Sequence, residues 1–191
     1  MPRKLSLTER TEGPSIDTRV HRVMNACRFT SMMSTAVTLT AAGAHLMELP
    51  AKMRYEPSLY VRLHRTLYPN FGRAAGPAEA VAVATTAALA WWMRRRRPAV
   101  FRTTAAAASC LAAAHGIYWG VVQPVNTRMS RWSLEAVPSD WAKWRNRWEW
   151  GHAVRAGLVT AALGALTLSV LNDVPDATAN RPLAPAGQPS R

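Results

Sequence analysis

The sequence predicts an all-α fold: a four-helix transmembrane bundle with amphipathic interfacial helices in the 1–2 and 3–4 loops. Three observations carry that reading. Apolar residues make up 49% of the 191-residue chain. They gather in four long blocks, at about 29–49, 74–93, 103–122 and 153–171, each close to the ~20 helical residues that cross a bilayer core. Charges fall between the blocks, and aromatic residues crowd the block ends, where indole rings favour the headgroup zone. The same composition excludes other classes. Two Cys support neither a disulfide scaffold nor a Cys-based zinc site, and Cys27 and Cys110 have no feature that would make them reactive. The net charge of +13 is spread over the block ends. That distribution suits anionic headgroups and gives no sign of a nucleic-acid surface. No Gly-rich phosphate loop, zinc-finger spacing or G-x-S-x-G elbow occurs.

Each element follows in order. Residues 1–28 form a basic polar tail, helical from Thr18 onward. The basic stretch is too long for a cleavable signal peptide, and no short apolar core ends in a small-residue cleavage site. Residues 29–47 contain no Lys, Arg, Asp or Glu, but Ser and Thr recur, and these can bond back to the backbone or across to another helix. The block closes on His45, Glu48 and Pro50. Residues 55–73 are amphipathic, with Leu59, Leu63 and Leu67 spaced by four, and predict an interfacial helix or a lid packed on the bundle end, with His64 on its surface. The block at 74–93 is broken only by Glu79 and ends at Trp91 and Trp92, beside Arg94, Arg95, Arg96 and Arg97. The third block is Ala-rich, holds His115 and exits at Pro124 and Asn126.

Residues 127–151 hold five Trp. Trp141, Trp144 and Trp148 fall at i, i+3, i+7, which predicts a second interfacial helix. The fourth block carries Arg155 in its first turn, and residues 173–191 form a disordered Pro-rich tail.

An even number of spans puts both termini on one side. The four-Arg block in a short loop places that side in the cytoplasm of a bacterial cell membrane. The opposite end then collects His45, Glu48, His64, Glu79, His115, Asn126, Glu149, His152 and Arg155. His45 with Glu48, Glu149 with His152, and His152 with Arg155 are each spaced i, i+3, so each pair shares a helix face. Ionisable groups inside a bilayer are costly and face the bundle interior, so a polar pocket at this end is the candidate site. A neutral His152 there can act as base toward a carbon acid. Arg155 and Asn126 can stabilise the enolate oxygen, and His45 and Glu48 can orient the reacting groups. His115, Trp119 and Trp148 complete the candidate binding set. Each residue also has a structural role open to it: His152 and His115 as interhelical hydrogen-bond partners, Arg155 as a snorkelling side chain, Asn126 as a helix cap, Glu48 as the i+4 partner of Lys52 and the Trp set as interface anchors. The E-x-x-H pair could alternatively hold a metal, or two His a haem. Carboxylate-bridged bundles draw on Glu from further helices, where only Glu79 is available, so no metal site and no cofactor are predicted.

Three stretches carry a family resemblance. They are Ala-Ala-Gly-Ala-His-Leu-Met-Glu-Leu-Pro-Ala-Lys at 41–52, Trp119 followed by Gln-Pro-Val-Asn at 123–126, and Trp-Glu-Trp-Gly-His-Ala-Val-Arg at 148–155. In order and spacing, over about 29–171, they resemble the anthrone-oxygenase-like family of small four-span membrane proteins. Some members oxidise an anthrone to an anthraquinone with O₂ and no added cofactor. The resemblance therefore implies an oxidoreductase acting as a monooxygenase on a hydrophobic aromatic molecule. The chain departs from the family pattern at His45, where an apolar or small residue is frequent, and at Leu49, where the family has His before Pro. The basic tail and the Arg block also lie outside the pattern. The other readings are a non-enzymatic membrane protein, either an assembly partner or a lipid or small-molecule binder, and a metal- or haem-binding membrane protein.

Overall fold

The computed structural model describes residues 16–173. The first part of the basic tail and the Pro-rich tail from 174 lie outside the described residues. Every regular element among them is helical. Helix α1 (Ile16–Lys52) runs 37 residues, about 55 Å at the α-helical rise. The second half of the expected tail is thus its first turns. Its hydroxyls bond back one turn, Thr35 Oγ1 to the Ser31 carbonyl at 2.7 Å and Thr38 Oγ1 to that of Ser34 at 2.9 Å, so they sit in an apolar helix without stranded donors.

The amphipathic stretch at 55–73 divides. Its first part is α2 (Pro57–Thr66), and its last residues open α3 (Tyr68–Met93). Of the three leucines spaced by four, Leu63 is partly buried and packs on the aromatic core. Leu59 and Leu67 are exposed, while Tyr60, Val61 and His64 are buried. The partners of the Tyr60 hydroxyl and the His64 ring lie inside, and these decide which way the helix turns.

The third block does not exit at Pro124. Helix α4 (Pro98–Ile117) passes through a π-helical turn (Tyr118–Val122) into α5 (Gln123–Met129). The Gln123 N–H reaches back five residues to the Tyr118 carbonyl. That register change immediately precedes Pro124, which has no N–H to give, and the rod continues. Nor is the Trp-rich helix separate from the fourth block: both belong to α6 (Trp141–Leu171). Their junction is Gly151. A Cβ there would lie 3.1 Å from Val122 Cγ2 and 3.3 Å from Val121 Cγ1, so only glycine lets α6 rest on the π turn unaltered.

Helices α1, α3, α4 and α6 close a ring, α1 against α3 and α6, α4 against the same two. Helix α2 packs on the start of α3. The waist is made of small residues, Ala82, Ala107, Ala114 and Ala162 with Leu111, Val159 and Leu166, which bring the axes close. Hydroxyl pairs cross it, Ser31 to Thr85 at 2.9 Å and Thr104 to Ser169 at 2.8 Å. One end is closed by Leu89, Met93 and Val100, and there Asp173 accepts from both Arg28 and Arg97. The other end is aromatic, with Tyr60, Tyr68, Trp132 and Trp148 in its core. Two rods, Pro98–Met129 and Trp141–Leu171, are long and apolar enough to cross a membrane.

Candidate functional site

At the aromatic end a cavity of about 870 Å³ lies among the ring helices and α2. It falls within the range of roughly 300–1,000 Å³ usual for small-molecule sites. His45, His115, Trp119, Asn126, Trp148, His152 and Arg155 all line it, together with His64, Tyr68, Phe71 and Glu79. Glu48 does not; it stands behind the wall, where it accepts from the Tyr68 hydroxyl at 3.2 Å. Gly72, Gly76, Ala80 and Trp119 line the cavity and are exposed, so it opens on the flank between α3 and α4.

The centre is an aromatic stack. His45 on α1 and His152 on α6 lie with ring centroids 4.2 Å apart. Trp148 sits 4.2 Å from His152 and 5.0 Å, edge-on, from His45. Tyr68 and Phe71 of α3 pack on His45 from the other side, at 4.9 and 5.2 Å.

Two buried ion clusters flank this stack. On one side Lys52, 1% exposed, has its Nζ 3.0 Å from Glu149 Oε2, 3.4 Å from Glu48 Oε2 and 3.4 Å from His45 Nδ1. The Tyr60 hydroxyl donates to the other Glu149 oxygen at 2.9 Å. Burial and the Glu149 carboxylate together raise the Tyr60 phenol above its ordinary range, so it stays protonated and donates. Lys52 also lies 5.0 Å from the ring centroids of both Tyr68 and Trp148. On the other side Arg155 Nη2 meets Glu79 Oε2 at 2.5 Å, Nε donates to the Ala114 carbonyl at 3.1 Å, and Nη1 lies 3.3 Å from His152 Nδ1. The remaining Glu79 oxygen is 3.5 Å from His115 Nδ1, and Trp119 donates to His115 Nε2 at 3.0 Å. Arg155 does not snorkel: it is a buried ion-pair partner.

Asn126 is a third organising point. Its Oδ1 accepts from the Trp148 indole at 2.7 Å and from His64 Nε2 at 3.1 Å, while its Nδ2 donates to Gln123 at 3.2 Å. It neither caps a helix nor aims its carbonyl oxygen at an anion; it positions Trp148 and His64. Burial lowers the His64 pKa to about 4, with Lys52 adding to the effect and the Asn126 hydrogen bond opposing it.

The structure thus brings His45, His115, Trp119, Asn126, Trp148, His152 and Arg155 to one cavity. It corrects the placement of His64, which was expected on the surface and is buried in the wall. Sequence reasoning also missed Tyr60, Tyr68 and the burial of Lys52. Their spacing carried a signal: 60, 64 and 68, and 45, 48 and 52, are each one helical stripe. Among the described residues no group of three or more His, Cys, Asp or Glu is disposed to hold a metal ion. The E-x-x-H carboxylate, Glu149, is committed to Lys52 and Tyr60.

No family model matches the chain, and no curated protein and no solved structure matches it.

Proposed function

We propose that the protein spans the membrane four times and binds a hydrophobic aromatic molecule in the cavity at one end of the bundle. It then oxidises that molecule with O₂ after a proton is removed from carbon. The observation that carries this is the wall itself: imidazoles and paired charges face an aromatic cavity that opens on the flank of the helices, where lipid would be. Surface composition supports the membrane reading. Phe29, Met33, Val37, Val81, Val154 and Leu168 point outward, while Ser31, Thr35, Thr86 and Thr104 are buried. Hydroxyls turned inward beneath outward apolar side chains suit an apolar surround. The two apolar rods supply two spans, and α1 and α3, closing the same ring, supply the others. Their apolar runs are diluted by the hydroxyls of α1 and by Glu79, which point into the bundle. Arg94 and Arg96 lie on the rings of Trp91 and Trp92, and a short Arg-rich loop beside such a pair supports a cytoplasmic placement of this end.

The chemistry follows the resemblance to anthrone oxygenases. A carbon acid flanked by aromatic rings loses a proton to a base, and the electron pair spreads onto the ring carbonyl oxygen. Donors in the wall stabilise that oxygen. The carbanion carbon bonds to O₂, which is reduced to a peroxide. Proton uptake, loss of the second C–H proton and cleavage of the O–O bond release water and leave a new carbonyl. One O₂ is consumed per quinone formed.

The test is anthrone oxidation by the protein purified in mild detergent, with O₂ uptake and quinone absorbance read together, alongside metal analysis. Equal amounts of O₂ consumed and quinone formed by a metal-free preparation is the expected result. A folded protein that turns over no anthrone overturns the substrate assignment. Stoichiometric iron, copper or haem overturns the proton-abstraction mechanism.

A further inference from the structure

We infer that His64 is the base of this cavity and that His152 and His45 are its hydrogen-bond donors, so the site takes a planar aromatic with an oxygen acceptor at one edge and an acidic C–H at another. This rests on the reading above that the cavity binds an aromatic carbon acid, and it reverses the roles that position in the sequence suggests.

A guanidinium can only donate, so His152 Nδ1, 3.3 Å from Arg155 Nη1, holds a lone pair and Nε2 carries the hydrogen. An ammonium likewise can only donate, and Lys52 Nζ, ion-paired with Glu149 and Glu48, lies 3.4 Å from His45 Nδ1. The His45 hydrogen is therefore also on Nε2. The Trp119 indole donates to His115 Nε2, which puts that hydrogen on Nδ1, toward Glu79. At Asn126 the logic runs the other way. The Trp148 indole can only donate, and this identifies the atom it meets as the amide oxygen. His64 Nε2, bonded to the same oxygen, must then be a donor, and Nδ1 keeps a free lone pair. Among the described residues, His64 alone of the four cavity histidines offers a lone pair with no protein partner, and His45 and His152 each offer an Nε2–H with none.

Trp148 is the common wall, with the rings of His64 and His152 at 5.2 and 4.2 Å from it. His64, His45 and His152 line one cavity, so a flat substrate there meets a base from α2 and donors from α1 and α6. His64 Nδ1 takes the C–H proton, the electron pair stays on the substrate, and its charge is received at the carbonyl oxygen by the Nε2–H groups. The imidazolium is held by Asn126 Oδ1 and returns the proton to the peroxide. Burial keeps His64 unprotonated at neutral pH, so its lone pair is present.

The proton step can be read apart from oxidation. Without O₂, in D₂O, the full-length protein in detergent should exchange the methylene hydrogens of anthrone for deuterium, followed by NMR. H64Q should slow the exchange about 10²–10⁴-fold, the usual scale for a general base. It should still bind anthraquinone, read by Trp fluorescence, which reports a folded cavity. Added imidazoles should restore exchange to H64A in proportion to their basicity, and restore none to H152A. H64Q exchanging within threefold of the unaltered protein would overturn the assignment. So would basicity-dependent rescue of H152A alone, or an unaltered protein that exchanges no faster than buffer. Exchange that depends on His64 with no O₂ uptake leaves this assignment standing and removes the oxidation reading. O₂ uptake that is indifferent to His64 does the opposite.

Discussion

Both ends of the bundle join anions to cations, and they do it in different surroundings. At the basic end Asp173 takes Arg28 from α1 and Arg97 from the α3–α4 loop; the Asp173 and Arg28 side chains are 7% and 13% exposed, and that of Arg97 is 46% exposed. Water screens the Arg97 pair, and its expected worth is about 0–1 kcal/mol. At the cavity end Lys52 and Glu149 are each 1% exposed. Taking both from water is expensive, and a hydrophobic pair of equal volume would fold as well or better. The comparison separates a partly solvated junction that fastens helix ends from a buried pair that the fold keeps against its solvation cost.

Removing one charge from each end tests that contrast. Lys52→Met strands Glu149 in the core and should destabilise the protein by about 3–5 kcal/mol, measured by denaturant unfolding in detergent. Lys52→Met combined with Glu149→Met should recover much of that loss, because neither charge is then unpaired.

Acid offers a second comparison within the cavity end. His64 is lowered from its ordinary 6.5 to about 4 in the folded protein, so the unfolded chain binds the extra proton between those values. Its contribution is full above pH 6.5 and is lost as pH falls through 4. The loss is on the order of 3 kcal/mol at 1.36 kcal/mol per unit. His64→Gln should flatten that limb of a stability–pH curve.

Gly151→Ala pushes a methyl into Val122 and Val121 and should cost about 1–3 kcal/mol, read as a lower melting temperature. Smallest is Asp173→Asn. Burial raises the Asp173 pKa, but hydrogen bonds from Arg28 and Arg97 outweigh it and pull the carboxyl below its usual range. With Arg97 largely in water, the expected cost stays within about 1 kcal/mol. A loss at Asp173 as large as at Lys52 would break the contrast between the ends.

Much of this was legible in the chain. Block lengths gave the long helices, and their even number was enough to gather His45, His115, Asn126 and His152 at one end. What escaped was rotation and continuity. Helix α2 was expected to carry His64 on its surface. It buries Tyr60 and His64 instead, because their partners Glu149 and Asn126 arrive from 89 and 62 residues away. No local pattern encodes that. Composition changes sharply at Gly151, from Trp and charge to Ala and Leu, and invites a break. A glycine with helical neighbours costs only about 1 kcal/mol relative to Ala, and its close packing on the π turn offsets this. Trp148 was expected among the interface anchors or in a pocket wall. It is the buried centre of the site, since its indole hydrogen has Asn126 to receive it.

The π turn at 118–122 has a consequence for how such a site can change. It holds one residue more than an α-helix of the same length would, and the surplus sits just ahead of the residues that organise the cavity. Deleting a single residue there would restore ordinary winding and swing everything beyond it by about 100°, carrying Asn126 away from Trp148 and His64. The phase of the wall depends on chain length as well as on side-chain identity. One codon lost or gained at this turn can dismantle or reassemble the wall in one step, with every named side chain still present.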